Sequence, residues 1–196
     1  MKEIVIASSN KGKIKEIQEI LSNYKIISLK ELNINLDIEI EENGKTFLEN
    51  AIKKATEIAK ILDGKTCIAD DSGIEIEYLN GFPGVHTKRW MEGTDRQRNL
   101  SILDKLQGVP KDKRKITFTT AIALTNGKDL ITAEGKIIGY VSEEIRGENG
   151  FGFDEIFELE NGKTLAELSN NEKNQISSRK KALEILKEKL KQKENL

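Results

Sequence analysis

The chain has 196 residues, 33% of them charged, and its 32 Lys and Arg against 33 Asp and Glu leave a formal net charge of −1. This length suits one sizeable α/β domain, residues 1–196, and the charge balance argues against a dedicated binder of nucleic acid or anionic membranes. No apolar stretch is long enough to span a membrane, and the single cysteine, Cys67, cannot form an intrachain disulfide. We therefore expect a cytoplasmic protein that binds neither nucleic acid nor membrane.

The first predicted elements are a buried strand, Ile4 to Ala7, a polar loop and a helix from Ile14. The loop comprises Ser8, Ser9, Asn10, Lys11, Gly12 and Lys13. Such a loop points backbone N–H groups and the positive helix end at a ligand, and its lysines add full charges, so a phosphate chain would fit. It is not a Walker loop, because the two-glycine spacing and the Lys-Ser/Thr pair are absent. An N-capped helix with solvent-facing lysines is the alternative.

A second strand is predicted over 25–28, followed by a weak alternation of apolar and polar residues from 32 to 40. Glu41 and Glu42 then precede an Asn-Gly turn. Thr46 opens an amphipathic helix that ends at Asp63-Gly64. Four polar residues lie off its apolar stripe, and solvent exposure is the favoured expectation for them: Glu49, Asn50, Lys53 and Lys54.

Residues 66–73 read Thr-Cys-Ile-Ala-Asp-Asp-Ser-Gly. The apolar part predicts the end of a buried strand, and Gly73 permits a sharp turn after it. Ligand sites in α/β proteins lie at strand ends, and Mg²⁺ takes one or two carboxylates and completes its shell with water and phosphate oxygens. Asp70 and Asp71 therefore indicate a magnesium site, and a plain polar turn is the alternative.

Beyond this point, residues 74–78 alternate and predict a half-buried strand that pairs near the preceding one. The lone His86 lacks the partners of a zinc site, so a structural or rim-lining role is favoured. A helix is predicted from Thr94 or Asp95 to about Leu106.

A long hairpin is predicted next, with strands over 115–125 and 130–141 joined at an Asn-Gly turn. The loop 147–154 contains three glycines and two phenylalanines and ends in an acid. Its glycines allow close approach of a ligand, and an exposed ring would stack on a base, although a core aromatic is the commoner case. Ser169 and Glu172 form a capping box, and an amphipathic helix opens near Ser177 with cations that an anionic or carbonyl-rich ligand would explain.

Taken together, these segments resemble the Ham1/RdgB family of inosine/xanthosine triphosphate pyrophosphatases. The matching segments follow the family order along the whole chain: 8–13, 41–51, 69–73, 81–84, 150–157 and 172–179. The resemblance implies an α/β fold, elongated and two-lobed around a long mixed β-sheet flanked by helices. It also implies Mg²⁺-dependent hydrolysis of ITP, dITP and XTP to the monophosphate and pyrophosphate, and usually a homodimer.

The resemblance also assigns roles to residues. Asp71 would be the catalytic proton acceptor, and Glu41, Glu42 and Asp71 would ligate the metal. The substrate-binding residues would be Ser8, Ser9, Asn10, Lys11, Gly12, Lys13, Ser72, Phe151, Gly152, Phe153, Asp154, Lys173, Ser178 and Arg179. Hydrogen-bond donors such as Arg179 and Lys173 would prefer the 6-oxo group of hypoxanthine or xanthine over the 6-amino group of adenine.

Two departures from the family pattern concern base selection rather than the chemistry. Ser178 stands where the family has histidine, and residues 86–89 read His-Thr-Lys-Arg instead of Tyr-Ser-Ala-Arg. A Maf-like pyrophosphatase with another base preference is an alternative, which the late motifs disfavour. A nucleotide-binding regulatory protein without turnover is a second alternative, which the retained acids disfavour.

Overall fold

The computed structural model describes residues 1–32, 40–87 and 89–194. In these ranges the chain is a mixed α/β protein. Its strands are β1 (Glu3–Ile6), β2 (Lys25–Ser28), β3 (Cys67–Ile76), β4 (Phe82–Pro83), β5 (Lys115–Thr125), β6 (Leu130–Val141) and β7 (Phe157–Glu158). Its α-helices are α1 (Lys11–Ile20), α2 (Phe47–Ile61), α3 (Asp95–Lys105), α4 (Asn170–Ile176) and α5 (Ser178–Glu194).

The strands form one mixed sheet with the order β2-β1-β3-β5-β6-β7, and β4 pairs with β3. β1 runs parallel to both of its neighbours, with Val5 opposite Ile27 on β2 and Cys67 on β3. β4 and β7 run antiparallel to β3 and β6. The predicted α/β class with a mixed sheet is confirmed.

The chain forms two compact units. Unit 1 consists of Met1–Ser72, Thr120–Gly135 and Ser178–Leu196, and unit 2 of Gly73–Thr119 and Lys136–Ser177. Three strands, β3, β5 and β6, begin in one unit and end in the other. Within the described part of the chain, no helix has the length and apolarity needed to cross a membrane.

The core of unit 1 is formed by the apolar faces that helical periodicity predicts. Ile17 and Leu21, at the end of α1, and Leu183 and Leu186 of α5 are buried in one cluster with Ile68 of β3. In unit 2, the corresponding cluster includes Ile102 of α3, Ile116 of β5 and the adjoining Leu106. The helix starts are capped by Asn10 for α1, Thr46 for α2, Thr94 for α3 and Ser169 for α4.

The turn predicted at Asp70–Gly73 is wrong, because β3 continues through these residues without interruption. Polar side chains are tolerated inside this buried strand because partners from other elements meet them, as described below. The separate strand predicted over 74–78 is wrong for the same reason: it is the end of β3, and the next residues, Glu77–Leu79, form a 3-10 turn.

The polar loop after β1 is shorter than predicted, because Lys11 already begins α1. The cap at Asn10 sets this start, since its side chain accepts a hydrogen bond from the backbone N–H of Lys13 at 3.1 Å. Most of the alternating stretch 32–40, and Lys88 in the segment 86–89, lie outside the described residues.

Candidate functional site

Two adjacent acids of β3 point to opposite faces of the sheet, because successive side chains alternate along a strand. Asp70 contacts residues of α1 and α5, whereas Asp71 contacts α2. Ser72 shares the face of Asp70, and its Oγ lies 3.5 Å from Arg179 Nη2. The two carboxylates therefore do not act as one pair, and each has an environment of its own.

Asp70 lies in a buried network of charges. Its Oδ2 is 2.9 Å from Lys13 Nζ and 3.2 Å from Arg179 Nη2, and only 2% of the residue is exposed. Arg179 also pairs through Nη1 with Glu16, three residues after Lys13 on α1. Burial alone would raise the pKa of Asp70, but the positive charges of Lys13 and Arg179 outweigh it and hold the pKa well below its usual range.

Asp71 has a less positive environment. Its Oδ2 accepts a hydrogen bond from Asn50 Nδ2 at 2.9 Å, and its Oδ1 accepts one from the backbone N–H of Ser72 at 3.0 Å. Burial raises the pKa of Asp71, and the negative charge of Glu42 adds to the rise. The hydrogen bond from Asn50 and the positive charge of Lys54 oppose the increase without cancelling it. Asp71 is thus the more basic of the two carboxylates.

Glu41 and Glu42, in the acidic segment before α2, have different environments. Glu42 pairs with Lys54, whose Nζ also donates to the backbone oxygen of Asp70 at 3.1 Å. The side chain of Glu41 is 78% exposed and lies 4.0 Å from Lys53. In the ranges that the structure describes, no three His, Cys, Asp or Glu residues are grouped to hold a metal ion. Glu41, Glu42 and Asp71 are therefore not brought together as a set of three.

The segment from Ser8 to Lys13 leads into the N-terminus of α1. Ser8 Oγ accepts the backbone N–H of Asn10 at 3.2 Å, and the Asn10 side chain caps the helix. Ser9 and Lys11 are exposed, whereas Gly12 is half-buried and Lys13 is buried against Asp70. The positive end of α1 and the Lys13 ammonium therefore occur together, which favours an anion at this helix end.

Ser178, at the start of α5, is fully buried. Its Oγ lies 2.8 Å from Thr120 Oγ1 on β5. Gly135 allows this close packing, because a Cβ there would lie 2.1 Å from the backbone oxygen of Ser178. The guanidinium of the next residue, Arg179, forms ion pairs with Glu16 and Asp70.

The remaining predicted residues lie in unit 2. Lys173 Nζ is 2.7 Å from Asp154 Oδ2, and the same ammonium lies 4.4 Å from the centre of the Phe151 ring. Asp154 Oδ2 also accepts the backbone N–H of Phe151 at 2.9 Å. Gly152 donates its N–H to Asp95 at 2.9 Å. Phe153 packs into the unit 2 core, whereas Phe151 is half-buried.

Asn50 and Lys54 were expected to face solvent, and the structure shows that this is wrong. Asn50 is fully buried against Asp71, and Lys54 pairs with Glu42. No local signal indicates the burial of Asn50, but once Asn50 is buried, Lys54 is expected near the same surface, because residues four apart share a helix face. Glu16 was also missed as the partner of Arg179, and no local pattern indicates a pair so distant in sequence.

The fold and the network around β3 define an α/β protein with a charged site built on a central strand. A sequence profile of the Ham1 family matches residues 4–189, and the chain belongs to that family.

Several known proteins are similar over nearly the whole chain. A dITP/XTP pyrophosphatase of Clostridium perfringens is 46% identical, covering 97% of this chain and 98% of that protein. One of Bacillus subtilis is 47% identical, covering 95% and 96%. Among solved structures, the Staphylococcus aureus Ham1 protein has a TM-score of 0.87 at 39% identity, covering 98% of this chain and 100% of that chain. A HAM1 protein from Coxiella burnetii has the same TM-score at 40% identity, with the same coverage.

Proposed function

We propose that the protein is a dITP/XTP pyrophosphatase that hydrolyses non-canonical purine nucleoside triphosphates, namely ITP, dITP and XTP, to the monophosphate and pyrophosphate. This reaction would keep deaminated purines out of DNA and RNA. The observation that carries the proposal is the buried Asp71 carboxylate on a central strand. It is hydrogen-bonded by Asn50, and the charges of Lys54 and Glu42 act on it. The relatives named dITP/XTP pyrophosphatase support it.

In this proposal Asp71 receives a proton from the attacking water. The water oxygen bonds to the α-phosphorus, and the bond from that phosphorus to the bridging oxygen breaks, so that pyrophosphate leaves. A raised pKa makes Asp71 a better proton acceptor than an ordinary surface aspartate. Asp70 does not suit this role, because Lys13 and Arg179 hold its carboxylate ionised and engaged.

The segment Ser8–Lys13 would bind the phosphate chain. The N-terminus of α1 supplies backbone N–H groups and a favourable dipole. Lys13 already contacts Asp70, but an ammonium has three N–H donors, so it can keep that pair and still meet a phosphate oxygen. Ser72 lies on the same face of β3 as Asp70 and would be a further substrate contact.

Glu42 and Asp71 fit a divalent ion, which we propose to be Mg²⁺. Both carboxylates interact with the charge of Lys54, and magnesium needs only one or two carboxylates when waters and phosphates complete its shell. Glu41 is exposed and would join the ion only after moving. A bound Mg²⁺ would lower the pKa of a water molecule and offset the phosphate charge.

The residues of unit 2 would contact the base. The Phe151 ring offers a flat face, and Lys173 and Asp154 supply a donor and an acceptor beside it. Lys173 would donate to the 6-oxo group, and the backbone of Gly152 and Phe153, which directly follow Phe151, would also contact the base. Arg179 and Ser178 remain proposed base contacts, and the five N–H donors of the guanidinium allow Arg179 to contact a ligand as well as Asp70 and Glu16.

We further propose that both compact units act as one catalytic domain, because the family profile spans them. A homodimer in the cytoplasm remains our expectation, and sedimentation of the purified protein would test the dimer.

The deciding experiment incubates the protein with ITP, dITP, XTP, ATP and GTP and separates the products by chromatography. We expect monophosphate and pyrophosphate from the first three, and loss of the products when EDTA removes divalent ions. Asp71→Asn is the control, because it keeps the shape but removes the charge, and its turnover should fall by a factor on the order of a hundred or more. Release of diphosphate and phosphate, or no turnover at all, would refute the proposal.

A further inference from the structure

Asn50 has both ends of its side-chain amide engaged in the interior of unit 1. Its Nδ2 donates to Asp71 Oδ2 at 2.9 Å, and its Oδ1 accepts the backbone N–H of Gly44 at 2.7 Å. The residue is 0% exposed. One amide therefore ties strand β3, which carries Asp71, to the acidic segment that carries Glu42.

The acidic segment depends on α2 for its shape, because residues 41–45 form no helix or strand. Side chains of α2 hold it at successive points. Lys53 Nζ donates to Asn43 Oδ1 at 2.8 Å, and Lys45 N donates to Glu49 Oε2 at 2.7 Å. Among these contacts, the one through Asn50 also reaches Asp71.

Gly44 is the residue that lets the segment approach the amide. A Cβ at this position would lie 2.6 Å from Asn50 Oδ1 and 2.8 Å from Glu49 Cβ. The first contact is with the very atom that accepts the Gly44 N–H, so any side chain at position 44 would push the amide out of place. The bare backbone and the asparagine thus form a matched pair.

The proposal that follows rests on the proposed function, in which Asp71 accepts a proton from water. A carboxylate in that role must hold one orientation, because catalytic groups need placement within about 0.5 Å. We propose that Asn50 is a positioning residue, whose amide fixes the orientation of Asp71 and keeps the acidic segment in register with it. A donor on one side and an acceptor on the other permit a single orientation of the amide.

The kinetic test separates the two ends of the amide. Asn50→Asp keeps an acceptor for Gly44 but turns an oxygen toward Asp71, whereas Asn50→Leu removes both contacts. For each variant we expect kcat for dITP to fall at least about tenfold while KM changes less than about threefold. Ile58→Ala is the matched control, because it truncates another buried side chain of the same helix, eight residues beyond Asn50. Ile58→Ala should lower the thermal midpoint as much as the Asn50 variants do, but it should keep kcat within about twofold of native.

A double-variant cycle tests the link through Gly44. Gly44→Ala alone should lower kcat, and combining it with Asn50→Leu should cost no more than the worse single change, because both break one connection. Losses that multiply would overturn the link. An unchanged kcat in Asn50→Asp, or an equal loss in Ile58→Ala, would overturn the positioning role.

NMR provides a readout that does not depend on turnover. The Gly44 amide donates to Asn50, and the Ser72 amide donates to Asp71 Oδ1 at 3.0 Å, so these two signals report on the two ends of the connection. In Asn50→Leu both signals should shift, and the Gly44 amide should exchange faster with solvent. An unmoved Ser72 signal would overturn the proposal. If native protein releases no pyrophosphate from dITP, the proposed function fails, and this arm alone decides whether Asn50 orients Asp71.

Discussion

Replacing Asp70 with asparagine should destabilise the protein strongly, although the two side chains have almost the same shape. The substitution removes from a buried network the negative charge that both Lys13 and Arg179 contact, while Arg179 keeps its pair with Glu16. Removing one partner of a buried ion pair costs about 3–5 kcal/mol. The asparagine oxygen can still accept one hydrogen bond, so the lower end, about 3 kcal/mol, is expected.

For a chain of 196 residues, this loss corresponds to a fall in the thermal midpoint of about 6–12 °C at pH 7. Differential scanning calorimetry or circular dichroism would measure it, without metal or nucleotide. Asp63→Asn is the control, because Asp63 is exposed and its positive φ of 51° suits asparagine as well as aspartate. That variant should unfold within about 2 °C of native.

The pH dependence of the difference gives a second check. The pKa of Asp70 is lowered in the folded protein, so its contribution to stability is present above the unfolded pKa of about 4 and is lost as pH falls toward the folded pKa. The gap between native and Asp70→Asn should stay constant from pH 7 to about 5 and narrow below about 4. A midpoint within 2 °C of native at pH 7, or a gap that widens in acid, would refute the reasoning.

Three further outcomes follow from buried contacts. Ser178→His should lower the free energy of unfolding by about 1–3 kcal/mol, because an imidazole does not fit where the serine hydroxyl meets Thr120; an unchanged denaturation curve would show that the site has room. Gly135→Ala should cost at least as much, because the added Cβ would lie 2.1 Å from a backbone oxygen of α5; native stability measured by urea titration would contradict this. The Cys67 thiol is buried and its pKa is raised to about 11, so Ellman's reagent should label it at pH 8 only after unfolding, and rapid labelling of native protein would disprove its burial.

Local patterns in the sequence were sufficient for most of the fold. The hairpin strands over 115–125 and 130–141 have the bounds that their alternation predicts, and the caps at Thr94 and Ser169 mark true helix starts. Each of these features depends on residues only a few positions apart. Here the local signals and the tertiary packing agree, so the sequence alone was sufficient for these elements.

The site was harder to predict, because its polar residues are buried by distant partners. Asp70 and Asp71 have the composition of a turn, and only the cations of α1 and α5 and the amide of Asn50 make a strand possible there. Asn50 likewise has the composition of an exposed helix position, until Asp71 and Gly44 supply its partners. Burial of a polar side chain is decided by three-dimensional neighbours, which hydrophobic periodicity does not report.

Because Asp70 and Asp71 point to opposite faces of the sheet, the register of β3 determines which partners each carboxylate meets. The two residues are identical in type, but Asp70 faces Lys13 and Arg179, whereas Asp71 faces Asn50. A shift of the strand by a single residue would exchange these surroundings, because each side chain would change faces. The two adjacent aspartates are therefore not equivalent. They lie on opposite faces of the sheet, and neither can take the place of the other.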